Sequence, residues 1–170
     1  MTRARPAILL LLVALMATVA RAETIDRIVA VVAGQVIMLS DVTAARELGL
    51  QSADGASDPV RAVLSKLIDR ELMIVEVDRY APPEPDTASI DRQLAAVRAR
   101  FPTAADLQAV LARAGIDEMH LRETLRQDLR FTAYLDQRFP PADPRRDSLV
   151  AEWVTGLRRR GDIVDLYAGR

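Results

Sequence analysis

Ile25-Asp26-Arg27-Ile28-Val29-Ala30-Val31-Val32-Ala33-Gly34-Gln35-Val36-Ile37-Met38-Leu39 decides how this chain folds. Its first half is β-branched and, from Ile28 onward, apolar on both faces, which predicts a strand buried on two sides. Ala33-Gly34 reads as a tight turn in which Gly34 supplies a positive φ. Gln35 to Leu39 returns as a second strand. A two-stranded hairpin is marginal alone in water, so a third strand or a helix must complete it. The far end of the chain offers that strand: Asp162 to Tyr167 (Asp-Ile-Val-Asp-Leu-Tyr) alternates polar and apolar residues as a half-buried strand does.

Between these ends the pattern is helical. Ser40 is expected to cap a helix running to about Leu48, with Asp41 in its first turn where the dipole favours an anion. Gly49 to Ser57 is a loop of small and polar residues. Asp58-Pro59 restarts a helix, aspartate capping and proline at the first helical position. Its wide stripe, including Val63, Leu64, Leu67, Ile68 and Leu72, marks it as the central helix. The prolines of Ala81 to Pro85 end it. Asp86 or Thr87 caps the next helix, which carries Ile90, Leu94 and Val97 and stops at Phe101-Pro102.

Thr103 and Asp106 outline a capping box before Leu107, Val110 and Leu111, and Ala114-Gly115 closes that helix. Asp117 caps a longer one with Leu121, Leu125, Leu129 and Thr132 on its stripe. Pro140 to Pro144 break the chain once more. A last helix presents Leu149, Val150, Trp153, Val154 and Leu157 on one face and ends at Arg158-Arg159-Arg160-Gly161. The expected fold class is mainly α with a small antiparallel sheet, closed by an N-terminal hairpin and a C-terminal strand.

Composition narrows the chemistry. The 170 residues carry 23 Lys+Arg against 24 Asp+Glu, one His and no Cys. Without cysteine there is no disulfide scaffold, thiol nucleophile or thiolate metal ligand. One histidine rules out multi-histidine catalysis, and no cofactor is implied. Near-neutral charge argues against a dedicated nucleic-acid binder. Arg3 and Arg5, the apolar run Ala7 to Val19 and the Ala20-Arg21-Ala22 cleavage pattern read as a signal peptide over residues 1–22. That run falls short of the roughly 20 residues a spanning helix needs. Removal after Ala22 leaves 148 residues with 20 basic and 24 acidic side chains, and no stable membrane span is expected afterwards.

The polar candidates have bland readings. His120 lies beside the apolar stripe of its helix and reads as a solvated surface histidine near Glu123, since no nucleophile pattern accompanies it. Arg158-Arg159-Arg160 stands where helix-end electrostatics favours cations, and an exported protein rarely meets nucleic acid. Asp69, Glu71, Glu76 and Asp78 interleave with Arg70 and Arg79 and are expected to form the solvated face of the central helix.

In order and pattern, the chain resembles the SurA-type periplasmic chaperones. The resemblance rests on strand, Ala33-Gly34, strand, Leu39-Ser40-Asp41-Val42, then Leu67-Ile68-Asp69-Arg70-Glu71-Leu72. It continues through Ile90 to Phe101, Phe101-Pro102-Thr103 to Gly115-Ile116, Leu121 to Arg130, and finally Trp153 with the strand Ile163 to Tyr167. It covers residues 23–167. Ala33 stands where that family usually has asparagine, which should weaken a turn needing positive φ at both positions. Family members usually carry parvulin-type isomerase domains before the last helix. Here only Pro140 to Arg146 intervenes, whereas a domain needs about 50 residues or more, so that activity is not carried over.

The resemblance implies a signal peptide (1–22), a SurA N-terminal-like helical domain (23–139) and a proline-rich linker (140–146). A C-terminal helix and strand (147–170) would pack back on the same domain. It further implies a non-catalytic periplasmic holdase whose partners are unfolded outer-membrane or secreted polypeptides. An interaction subunit for one folded partner is the alternative, and a peptidyl-prolyl isomerase a remoter one. The loop Gly49–Ser57 and the proline hinges leave room for helix exchange in a homodimer. Met73, Phe101, Met119, Phe131 and Tyr134 are the client-binding candidates, because methionines and aromatics adapt to many apolar segments. The competing reading for each is ordinary core.

Overall fold

The computed structural model describes residues 26–168; the expected signal peptide and Ile25 lie outside them. The elements are β1 (Ile28–Val32), β2 (Gln35–Met38), α1 (Leu39–Glu47), α2 (Pro59–Tyr80), α3 (Thr87–Arg98), α4 (Ala104–Arg113), α5 (Glu118–Arg138), α6 (Arg146–Arg160) and β3 (Ile163–Asp165). The fold is mainly helical with one three-stranded antiparallel sheet, as the sequence pattern predicts.

The strands lie in the order β2-β1-β3. Val31 pairs with Val36 on one side and Val164 on the other, and Val32 pairs with Gln35 and Ile163. A bulge between Ile28 and Ala30 shifts the register, and Val29 is fully buried there. Beyond the ladder, Ala33 donates to the Asp162 carbonyl at 2.9 Å and Leu166 to that of Val29 at 3.0 Å. The two ends of the described chain are thereby joined.

Local chemistry places most helix starts. Asp58, Asp86, Thr103 and Asp117 each accept a backbone N–H in the first turn of the helix they precede. Ser40 is the exception to the expected pattern. The helix begins at Leu39, and the Asp41 carboxylate reaches back to accept the Met38 N–H at 2.7 Å. Ser40 sits inside the first turn, its N–H and hydroxyl both donating to Asp26. The cap therefore comes from a residue 14 positions upstream, which no local pattern encodes.

The core has two parts, and α1 serves both. Val42 and Ala45 face the first, built from the inner side of the sheet, α2 and Leu157 of α6. Ala44 and Leu48 face the second, filled by α3, α4 and α5 through Leu94, Leu107, Leu111 and Leu121. Burying one such leucine contributes about 1.5–3 kcal/mol, so each half is a substantial core. Arg100 closes the second half by donating to the Leu48 carbonyl at 2.9 Å and the Gly49 carbonyl at 2.7 Å. Gly49, at φ 68°, leaves the space this guanidinium occupies.

The C-terminal helix is tied down by cations. Arg158 donates to Asp69 at 2.5 Å and to the Ser65 carbonyl at 2.8 Å, so it bridges α6 to α2 in addition to standing at a helix end. Arg146 holds the proline segment by donating to the Phe139 carbonyl at 3.0 Å and pairing with Asp136. Arg61 pairs with Asp165, donates to the Tyr167 carbonyl at 2.6 Å and lies 4.9 Å over the Tyr167 ring. The loop Gly49–Ser57 is anchored by Lys66, which pairs with Asp54 and donates to the Ser52 carbonyl at 2.8 Å.

Candidate functional site

Two clefts lie side by side on the helical body, and α2 contributes to each. The first, about 370 Å³, runs between β2, α1, α2 and α5. The second, about 420 Å³, runs between α2, α5 and α6. Arg70 and Asp128 line both. Arg70 Nε donates to Asp128 at 2.8 Å, and Arg70 also pairs with Glu71 at 3.2 Å. Its side chain is only 13% exposed. The charges of α2 are thus not the plain solvated face expected of them: Arg70 reaches α5, Asp78 pairs with Arg130 of α5 at 2.9 Å, and Asp69 holds α6.

The second cleft is the apolar one. Met73 and Phe131 meet in it with Val150 and Val154, and Lys66, Asp69, Arg70 and Asp128 edge it. Helical geometry explains the convergence. Phe131 lies three residues beyond Asp128 on α5, Met73 three beyond Arg70 on α2, and Val150 and Val154 four apart on α6. The sequence stripe of α6 is wider than its contact with α2, so its edge residues are left lining the groove. That width was the available signal for Val150 and Val154.

The other candidates separate. Phe101 is half-buried against the second core and borders a different hollow with Leu107, Arg98 and Glu118. Met119 is 75% exposed in the first turn of α5 and lines neither cleft. Tyr134 is only 5% exposed, and this corrects its place among the surface candidates. Its ring packs 5.4 Å from that of Tyr80 and 5.9 Å from that of Trp153, and burial raises the pKa of its hydroxyl.

The first cleft is acidic. Asp41, Glu71, Glu123 and Asp128 line it against Arg70 and His120. Burial pushes the carboxyl of Glu71 above its ordinary range, partly offset by Arg70. Burial likewise raises Asp41, against the lowering effect of the Met38 N–H. Glu123 is held below its usual value by Arg126. His120 is exposed at this cleft with Glu123 in the same lining. Among the described residues no group of three or more His, Asp or Glu side chains is arranged to hold a metal ion. No helix among them is long and apolar enough to cross a membrane.

Compared with known proteins, the chain matches no family model and no curated protein.

Proposed function

We propose that this chain is a non-catalytic chaperone of the SurA type, lacking an isomerase domain, that reversibly holds unfolded polypeptides. Its place would be the bacterial periplasm and its clients outer-membrane or secreted chains. The observation that carries the reading is the convergence of Met73, Phe131, Val150 and Val154 on one open groove with a charged border. A flexible thioether and an aromatic face accept side chains of many shapes, which suits a binder of unfolded segments. At about 420 Å³ the groove admits a few side chains of an extended segment. Ordering the client opposes binding, so affinity should be on the order of micromolar.

The test is suppression of aggregation. The protein at micromolar concentration should reduce light scattering from several unrelated unfolded outer-membrane proteins diluted out of urea. Protection of none of them would overturn the proposal, and tight binding to a single folded protein would replace it with the interaction-subunit reading. Acceleration of a proline-limited refolding reaction would contradict the non-catalytic assignment.

A further inference from the structure

We infer that the free edge of β2 is a second docking site, which takes an extended polypeptide segment bearing a basic side chain as an added strand. The inference rests on the proposed handling of unfolded chains but uses a different surface from the Met73–Phe131 groove.

The sheet order leaves β2 at one edge. Ala33-Gly34 is a two-residue turn closed by the Val32–Gln35 pair, so that pair exchanges ladder hydrogen bonds. In an antiparallel ladder the next pair, Val31–Val36, does not, and the N–H and C=O of Val36 point away from β1. The bonds of β1 agree, because its Val29 carbonyl turns to β3 and accepts from Leu166. Two residues further along β2, the outward Met38 N–H is taken by Asp41. Val36 is 47% exposed, and its outward N–H and C=O have no hydrogen-bond partner among the described residues. Edges are normally blunted by lysine, proline or a covering element. Gln35-Val36-Ile37-Met38 has neither residue, and it opens into the first cleft. At the opposite edge β3 is fastened instead by Arg61.

Charge selects the occupant. Arg70 serves Glu71 and Asp128, and Arg126 serves Glu123. Asp41, in the first turn of α1 just beyond β2, has no basic partner within ion-pair distance among the described residues. A segment paired with Val36 can place a lysine or arginine toward Asp41 while its apolar side chains lie against Val36 and Leu50. Main-chain pairing supplies affinity whatever the sequence, and the carboxylate supplies the preference.

The experiment uses the purified protein and a fluorescein-labelled peptide alternating valine and threonine around one central lysine. Binding is read by anisotropy and by amide hydrogen exchange. The expected result is several-fold weaker binding of the central-glutamate peptide and slowed exchange at Val36 in the complex. Val36→Pro should weaken binding on the order of tenfold, since it removes an outward donor and no ladder bond. A peptide N-methylated along its pairing edge should bind equally poorly, and this arm needs no variant to fold. Equal binding of the glutamate or N-methylated peptide, or unchanged exchange at Val36, would overturn the inference. So would a Val36-dependent dimer formed without peptide, which would assign the edge to a second copy. Phe131→Glu should leave peptide binding intact and lose aggregation suppression; retained edge binding with undiminished aggregation suppression would sink the groove reading alone.

Discussion

Arg70 Nε donates to Asp128 Oδ1 across 2.8 Å, and the pair forms the wall between the acidic and the apolar cleft. Arg70 is largely buried while Asp128 is more than a third exposed, so solvent screens part of the attraction. Asp128→Ala leaves Arg70 with Glu71 and should cost about 1 kcal/mol. Urea denaturation checks this. An unchanged midpoint would mean the wall contributes nothing to stability.

Ala33 and Gly34 both adopt positive φ, 49° and 84°, and Ala81 does so at the end of α2 with φ 44°. Alanine in this region is strained by about 1–2 kcal/mol, whereas asparagine and glycine tolerate it. Ala33→Asn and Ala81→Gly should each stabilise the protein by about 0.5–1 kcal/mol, read as a higher denaturation midpoint with an unchanged slope. A lower midpoint for Ala33→Asn would contradict the turn geometry.

Gly161 is needed for a reason the sequence hides. Its φ is −75°, which any residue adopts, but a Cβ there would stand 2.5 Å from Leu72 Cδ2 and 3.0 Å from the Leu157 carbonyl. Leu72 is buried and the carbonyl is fixed by the Gly161 N–H, so neither yields cheaply. Gly161→Ala should destabilise by roughly 1–3 kcal/mol. In a Leu72→Ala background the same change should cost much less, which a double-mutant cycle measures. Additive effects would rule out the contact.

The carboxyls of Glu71 and Asp41 are raised by burial, so the folded state binds their protons more tightly than the unfolded chain does. Their ionised forms therefore oppose folding above the raised values. That opposition fades as pH falls toward the ordinary values of 4.5 for Glu71 and 3.8 for Asp41. Relative to Glu71→Gln, the unmodified protein should gain stability as pH falls from 7 to 4.5, seen as converging or crossing urea midpoints. Comparison with the variant removes the opposite contribution of lowered carboxyls such as Glu123. A constant difference across that range would contradict the burial of Glu71.

Local chemistry made much of the fold legible. The Asp58-Pro59 start and the Thr103–Asp106 capping box appear where neighbouring residues place them, whereas the strand expected over Asp162 to Tyr167 spans only Ile163–Asp165 and leaves Val164 and Leu166 exposed. What escaped depends on residues distant in sequence. Asp26 takes the role expected of Ser40, Arg158 finds Asp69, and Arg70 finds Asp128 across 58 positions. The candidate site was half legible for the same reason. Residue type alone points to Met73 and Phe131, but their meeting with Val150 and Val154, and the burial of Tyr134 against Trp153, follow from helix packing.

The central claim is that the groove of Met73 and Phe131 captures unfolded chains. Its most direct test is an anisotropy titration of a labelled, urea-unfolded outer-membrane protein against the unmodified protein and Phe131→Glu, with thermal melting as the control for folding. Phe131 is half-buried at the surface of the groove, so the variant should keep its cooperative melt. The account predicts binding at least tenfold weaker for Phe131→Glu; equal affinity for the two proteins would contradict it.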